Sequence, residues 1–221
     1  LDIELLEKSI LNTIARHESL RTVFHEVDGV PYQKIQHMDD VSFSVERIKL
    51  NESVDLENVL NESWNSSFNL VEGPLLRCEV FQMKNQKVLS FNMHHIISDG
   101  WSVSVLFKDV MKSYQLLSSG NTGALKELKI QYKDFANWQK ENLSNDQLAK
   151  QLDYWKKEVF NEGIEPLELP YDQNRPDIKT YNGAVHYKDF DAELCKRINE
   201  QCIDVGVSLF MHLTSNTNIL L

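Results

Sequence analysis

Apolar residues at Leu5, Leu6, Ile10 and Ile14 recur at the spacing of one helical face and predict an amphipathic helix from Leu1 to about His17. The period then changes. "RTVFHEV" and "VPYQKIQ" read as strands flanking Asp28-Gly29, a dipeptide suited to the positive φ angles of a tight hairpin turn. "VSFSVERI" alternates Val41, Phe43 and Val45 and predicts another half-buried strand, after which Leu56, Val59, Leu60 and Trp64 return to helical spacing. Residues 76–83 and 88–94 predict an antiparallel pair turning at "KNQK", and the second of these strands ends in His94 and His95. Beyond Gly100, the positions Val103, Leu106, Phe107, Val110, Met111, Tyr114 and Leu117 predict a long helix that Gly120 stops.

Two further helices follow, "YKDFANWQKEN" and one starting near Ser144, where Ser-x-x-Gln147 resembles a capping box. "EPLELPYDQNRPDIKTYNG" holds three of the five prolines and reads as an extended surface connection. A strand near "AVHYKDFD", a helix near residues 192–206 and a new buried helix capped by Ser208 complete the pattern. The chain begins inside one helical pattern and stops inside another, so it reads as cut at both ends. It has no internal repeat.

Composition narrows the function classes. Hydrophobic residues make up 42% and charged residues 25%, and no apolar run approaches the roughly 18–20 residues of a membrane span, so a soluble globular protein is expected. A net charge of -10 argues against nucleic acid, whose binding needs a basic face. Cys78, Cys195 and Cys202 are widely spaced without a CxxC pair, which suggests neither a disulfide framework nor a zinc site and fits a reducing cytoplasm. Asn-x-Ser sequons at Asn51, Asn61, Asn65 and Asn142 follow no signal peptide and read as chance.

The candidate chemistry lies in "FNMHHIISDGWS", residues 91–102. Side chains alternate across a strand, so His94 and His95 start toward opposite faces and only one enters a given cleft. If that one is His95, an imidazole titrating around 6.5 suits a general base. Asp99, set behind such a site, needs a cationic partner, for which Arg16 and Arg21 are the candidates. Gly100 permits close backbone approach or a positive φ, and the helix N-terminus it opens favours an oxyanion. Taken singly, a histidine on an apolar strand is more often a hydrogen-bonded core residue, and an Asp-Gly is more often a turn. Met93, Trp101 and the aromatics of "YKDFANW" read by default as packing residues. Metal binding by His94, His95 and Asp99 is disfavoured, because adjacent strand residues diverge and no further ligand spacing follows.

"MHHIISDGWS" resembles the HHxxxDG signature of condensation domains from nonribosomal peptide synthetases. "RHESLRTVF", residues 16–24, is similar to that family's RHExLRTxF element, and "YKDFANW", residues 132–138, to its YxDFAxW element. "LDYWKKEV", "LELPYDQNRP" and "FNLVEGPLLR" also resemble the family. The resemblance implies an α/β sandwich of the chloramphenicol acetyltransferase type, with a mixed, largely antiparallel sheet and flanking helices. It covers the whole chain but only half of a two-lobed domain: residues 1–175 would be the N-terminal lobe, truncated at its start, and residues 176–221 the connection and the beginning of the second lobe. The family's opening motif is absent.

The resemblance further implies amide formation, in which an amine on an acceptor carrier protein attacks the thioester of an aminoacyl or peptidyl donor. His95 would stand at the reaction centre with His94 less directly involved. Asp99 would be salt-bridged to an arginine, Arg21 before Arg16, and Gly100 would turn its amide to the cleft beside Trp101. No metal is implied, and no cofactor is held directly, since 4'-phosphopantetheine arrives on the donor and acceptor peptidyl carrier proteins. An adenylation domain would be a neighbour. The lobe alone is not expected to catalyse. "DGWSVSV" differs from the DGVSWR text of epimerisation domains, heterocyclisation domains replace both histidines by aspartates, and "HHIISDGWS" is closest to domains using an L-configured donor. The alternatives are a stand-alone CoA-dependent acyltransferase sharing the HxxxD logic and a condensation-like domain that only binds partners.

Overall fold

The computed structural model describes residues 1–51, 53–143, 145–161, 163, 169, 171–174, 176–178, 180 and 183–221. They fall into two compact units, Leu1–Lys150 and Gln151–Leu221.

In the first unit α1, Ile3–Arg16, starts where the Asp2 carboxylate accepts the amides of Glu4 and Leu5 at 2.9 and 3.1 Å, a side-chain cap of orphan helical donors. A 3-10 turn at Glu18–Arg21 leads into β1, Thr22–Val27, which pairs antiparallel with β2, Val30–Ile35. Asp28 and Gly29 link them with φ of 52° and 77°, the mirror-image turn that matches strand twist. A second sheet has the order β3-β4-β5, with β3 (Val45–Lys49) parallel to β4 and β4 (Leu76–Gln82) antiparallel to β5 (Lys87–Met93). Helix α2, Leu56–Asn65, lies between β3 and β4 in sequence, and α3, Gly100–Ser118, follows β5. Then comes α4, Tyr132–Asn142; α5, Asn145–Tyr154, runs past the end of this unit at Lys150, and the π-helical turn at Trp155–Val159 belongs to the second.

Alternation along β4 explains how the central sheet is covered. Leu76, Cys78 and Val80 face one way into a core with Leu6, Ile10 and Ile14 of α1 and Leu106 and Val110 of α3. Glu79 faces the other way, where Ser63 of α2 hydrogen-bonds its carboxylate and Trp64 donates to Ser90 at 3.0 Å. Small residues let α1 and α3 approach closely: Ser9, Thr13 and Ser113 are fully buried, and Asn12 donates to Ser113 Oγ at 3.0 Å.

The second unit contains α6, Ala192–Val205, capped by Asp191 and ended by Gly206 at φ 75°, and α7, Leu209–Leu220, capped by Ser208.

Some expectations are corrected. The strand read from Val41 begins only at Val45, because residues 41–44 have no neighbouring strand; Val41 and Phe43 still pack against the core. Residues 183–190 form no strand among the described residues: the alternation of Val185 and Tyr187 is there, but both are exposed and no partner strand takes their backbone groups. Helix α7 is exposed, with Phe210, Met211 and Ile219 open to solvent, rather than buried. Ser144, the expected start of the capping box, lies outside the described residues.

Candidate active site

Strand β5 stops at Met93, one residue before the first histidine, so both histidines sit on the turn between β5 and α3. His94 is bound into the fold: its amide donates to Leu75 O at 3.0 Å, its carbonyl accepts from Ile97 N at 3.1 Å, and its Nδ1 accepts from Ile96 N at 3.0 Å. Acceptance at Nδ1 places the proton of the neutral ring on Nε2. The ring also stands edge-on to Phe68, 6.0 Å between centroids, and the far neighbour of Phe68 is the Arg77 guanidinium at 4.0 Å.

His95 is exposed and lines a cavity of about 320 Å³. Ser98, Asp99 and Ser102 line it from the same loop and the start of α3, while Phe24 and Ile35 line it from the β1–β2 hairpin.

Asp99 differs from its expected role. It is exposed and caps α3, its Oδ1 accepting from Ser102 Oγ at 2.6 Å and Ser102 N at 2.8 Å. The Ser102 hydroxyl first, then the Ser102 amide, with smaller help from the Trp101 amide and the charge of His95, hold its carboxyl below the usual carboxylate range. It pairs with neither arginine. Arg21 donates to the Gln36 carbonyl and stands 3.7 Å from Glu18, and Arg16 pairs with Asp109 and donates to Lys126 O at 2.8 Å. The reason is positional: Asp99 begins α3, whereas Asp109 sits further along on the face that α3 turns to α1. Asp109, 7% exposed at its side chain, also receives His17 Nε2 at 2.7 Å. The signal for it was present in the sequence as an acidic residue beside Val110 on an apolar helical face.

Gly100 is the first residue of α3 and is helical, not left-handed; a Cβ there would meet nothing within 4 Å, so the chain's own packing does not demand glycine. Trp101 is 82% exposed and lines an adjoining cavity of about 130 Å³ with His17, Met93 and Val105. Among the described residues no group of three or more His, Cys, Asp and Glu could hold a metal ion, and no helix is long and apolar enough to cross a membrane.

The other two motifs meet at the same cavity, which Glu18, Thr22, Tyr132 and Lys133 also line. Gln131, just ahead of α4, accepts from Glu18 N at 3.1 Å and donates to Arg16 O at 2.9 Å, and Lys133 reaches Glu18 at 2.7 Å. These polar clamps join "RHESLRTVF" to "YKDFANW". By sequence the aromatics of the second motif are packing residues, yet Tyr132, Phe135 and Trp138 are all exposed along α4.

A small mixed sheet between helices, with a histidine turn joining its last strand to a long helix, defines a lobe of the chloramphenicol acetyltransferase type. Solved structures with this architecture include the X-domain from teicoplanin biosynthesis in complex with OxyB (TM-score 0.78, 27% identity, 94% of this chain and 46% of that one). The epimerization domain of tyrocidine synthetase B matches in fold alone, at TM-score 0.69 and 24% identity over 80% of this chain and 41% of that one. Residues 1–221 match the condensation-domain family, and the chain belongs to it. It is 38% identical to gramicidin S synthase 2 of Brevibacillus brevis over 98% of its own length and 5% of that protein's. It is 35% identical to a dimodular nonribosomal peptide synthase of Bacillus subtilis (strain 168) over 100% of its length and 10% of that protein's. The chain thus spans a small fraction of these curated relatives and about half of the solved chains it matches.

Proposed function

We propose that this chain is the N-terminal lobe of a condensation domain that forms an amide between two carrier-borne aminoacyl groups, with residues 1–175 making the lobe and residues 176–221 leading into its partner. The observation that carries this reading is the placement of His95: its ring is exposed in a cavity that Ser98, Asp99 and Ser102 line beside it, while His94 is tied to Ile96, Leu75 and Phe68.

In this reading the donor is an aminoacyl or peptidyl thioester, the acceptor a free amine, and both are substrates delivered on the phosphopantetheine arms of carrier proteins, with an adenylation domain as neighbour. His95 takes the proton as the amine attacks, or stabilises the charged tetrahedral intermediate that precedes loss of the thiolate. Asp99, ionised well below neutral pH, sets a negative charge on the same cavity wall, where it offsets the positive charge the imidazole gains on taking that proton. Holding both acyl groups in one cleft supplies much of the rate through proximity. Gly100, which has open space where a side chain would stand, leaves room for the reacting group beside the first amides of α3. Family membership supports synthesis in the cytoplasm, where such synthetases work.

The test is amide formation from donor-loaded and acceptor-loaded carrier proteins, followed by mass spectrometry, using a condensation domain that contains this chain. His95→Ala is expected to slow the reaction by about 10²-fold or more, the usual share of a general acid–base group. A larger loss from His94→Ala than from His95→Ala overturns the assignment. A second reading, docking of a partner without catalysis, is favoured by the likeness to the X-domain seen in complex with OxyB; no amide product above background from the parent domain would select it.

A further inference from the structure

We infer that the face of the β1–β2 hairpin turned to the His95 cavity selects the side chain of the bound aminoacyl group, and that it takes an apolar one of about leucine size. This rests on the proposed use of the cavity for acyl transfer and names which of its residues choose the substrate.

Thr22 pairs with Ile35 and Phe24 with Gln33, so alternation puts these residues on one face of the hairpin, and all of them line the cavity. Phe24 and Ile35 are only half-buried, which leaves apolar surface facing the open space. The Thr22 hydroxyl offers no free donor there, because it donates to Glu18 O at 2.8 Å. Gln33 is exposed and is the remaining polar side chain of that face.

The rest of the lining is more polar. Beside Ile96 and Ile97, the turn brings His95, Ser98, Asp99 and Ser102 to the cavity. Glu18 and Lys133, which also line it, offset each other's charge, with Lys133 Nζ 2.8 and 2.7 Å from the two carboxylate oxygens. A ligand therefore meets hydrogen-bonding groups where its acyl carbon would react and hydrocarbon where its side chain would lie. The volume, about 320 Å³, stands at the small end of ligand pockets and suits one aminoacyl group better than a peptide.

The wall is also held in place. Phe24 N donates to Leu70 O at 2.8 Å and Gln36 N to Arg21 O at 2.9 Å, fixing the hairpin at its base. A preorganised apolar wall discriminates by contact area without first having to be ordered.

The experiment measures binding to the 221-residue chain by ligand-observed NMR and calorimetry, so that catalysis is not needed. The probes are pantetheine amides, in which nitrogen replaces the thioester sulfur, carrying a leucyl or a glycyl group. Each is made with a free amine, as an acceptor would be, and N-acetylated, as a donor would be; the pair that shows the larger leucyl preference identifies which substrate the wall reads. Leucyl is expected to bind about tenfold or more tightly than glycyl, the lower bound for apolar pocket discrimination. Ile35→Thr keeps a β-branched strand residue but adds a hydroxyl, and should remove most of that preference. Gln33→Leu, at an exposed position, should strengthen leucyl binding more than glycyl binding. Equal binding of leucyl and glycyl probes, or a preference that neither variant moves, overturns the selecting wall alone. Failure of every probe to bind overturns it together with the reading of this cavity as the acyl-transfer site.

Discussion

Removing Asp109 should destabilise the first unit more than removing Asp99, although Asp99 lies in the signature motif. The Asp109 side chain is 7% exposed, and its carboxylate is shared by Arg16 and His17, which are 20% and 18% exposed. Asp109→Ala strands a guanidinium donor and an imidazole nitrogen at the junction of α1 and α3. Breaking a buried pair costs about 3–5 kcal/mol. The lower end applies here, about 3 kcal/mol, because Arg16 partly reaches water and keeps its bond to Lys126 O at 2.8 Å. At about 2–4 °C per kcal/mol for a chain of this size, the melting temperature should fall by about 6–12 °C. Asp109→Asn, which retains shape and an acceptor, should fall between. Asp99→Ala removes only an exposed helix cap and should cost less than either. Thermal unfolding followed by circular dichroism at about pH 7 measures all of these. Asp109→Ala melting within about 2 °C of the parent, or below it by less than Asp99→Ala, would refute the assignment of Asp109 as the buried partner.

A buried thiol and a crowded glycine give further tests. Burial, then the negative charges of Glu79 and Glu7, push the Cys78 thiol up to about 12 from 9.0, so iodoacetamide at about pH 8 should label exposed Cys195 and leave Cys78 until the chain unfolds; early labelling of Cys78 would contradict its burial. Because the folded state binds that proton more tightly than the unfolded state, Cys78's contribution is intact below pH 9.0 and is lost as pH rises toward about 12, which urea titrations across that window should register as falling stability. Gly123, at φ 71°, would place a Cβ 2.5 Å from Leu117 Cγ, whereas Gly120, at φ 80°, has nothing within 4 Å. Gly123→Ala should therefore cost about 3 kcal/mol, overpacking added to left-handed strain, and Gly120→Ala about 1 kcal/mol; equal midpoints in urea would show that the Leu117 contact yields freely.

The sequence by itself determined the elements whose signals are local. The period of Leu6, Ile10 and Ile14 defines the buried face of α1, and Asp28-Gly29 defines the hairpin, because side-chain spacing and backbone sterics act over a few residues. The motifs in order were enough to indicate the family, and the family match agrees. Tertiary structure alone decided which charges meet. Whether Arg16 reaches Asp99 or Asp109 depends on how α1 packs against α3, where Ser9, Thr13 and Ser113 are buried at the contact, and that packing joins positions 93 apart in sequence. The same holds for the clamp of Gln131 on Arg16 and Glu18, whose partners are 115 and 113 positions apart. It holds too for the strand expected near Val185: alternation marks a residue run as able to pair, but a strand exists only where a neighbouring backbone takes up its hydrogen bonds, and that neighbour is a property of the fold.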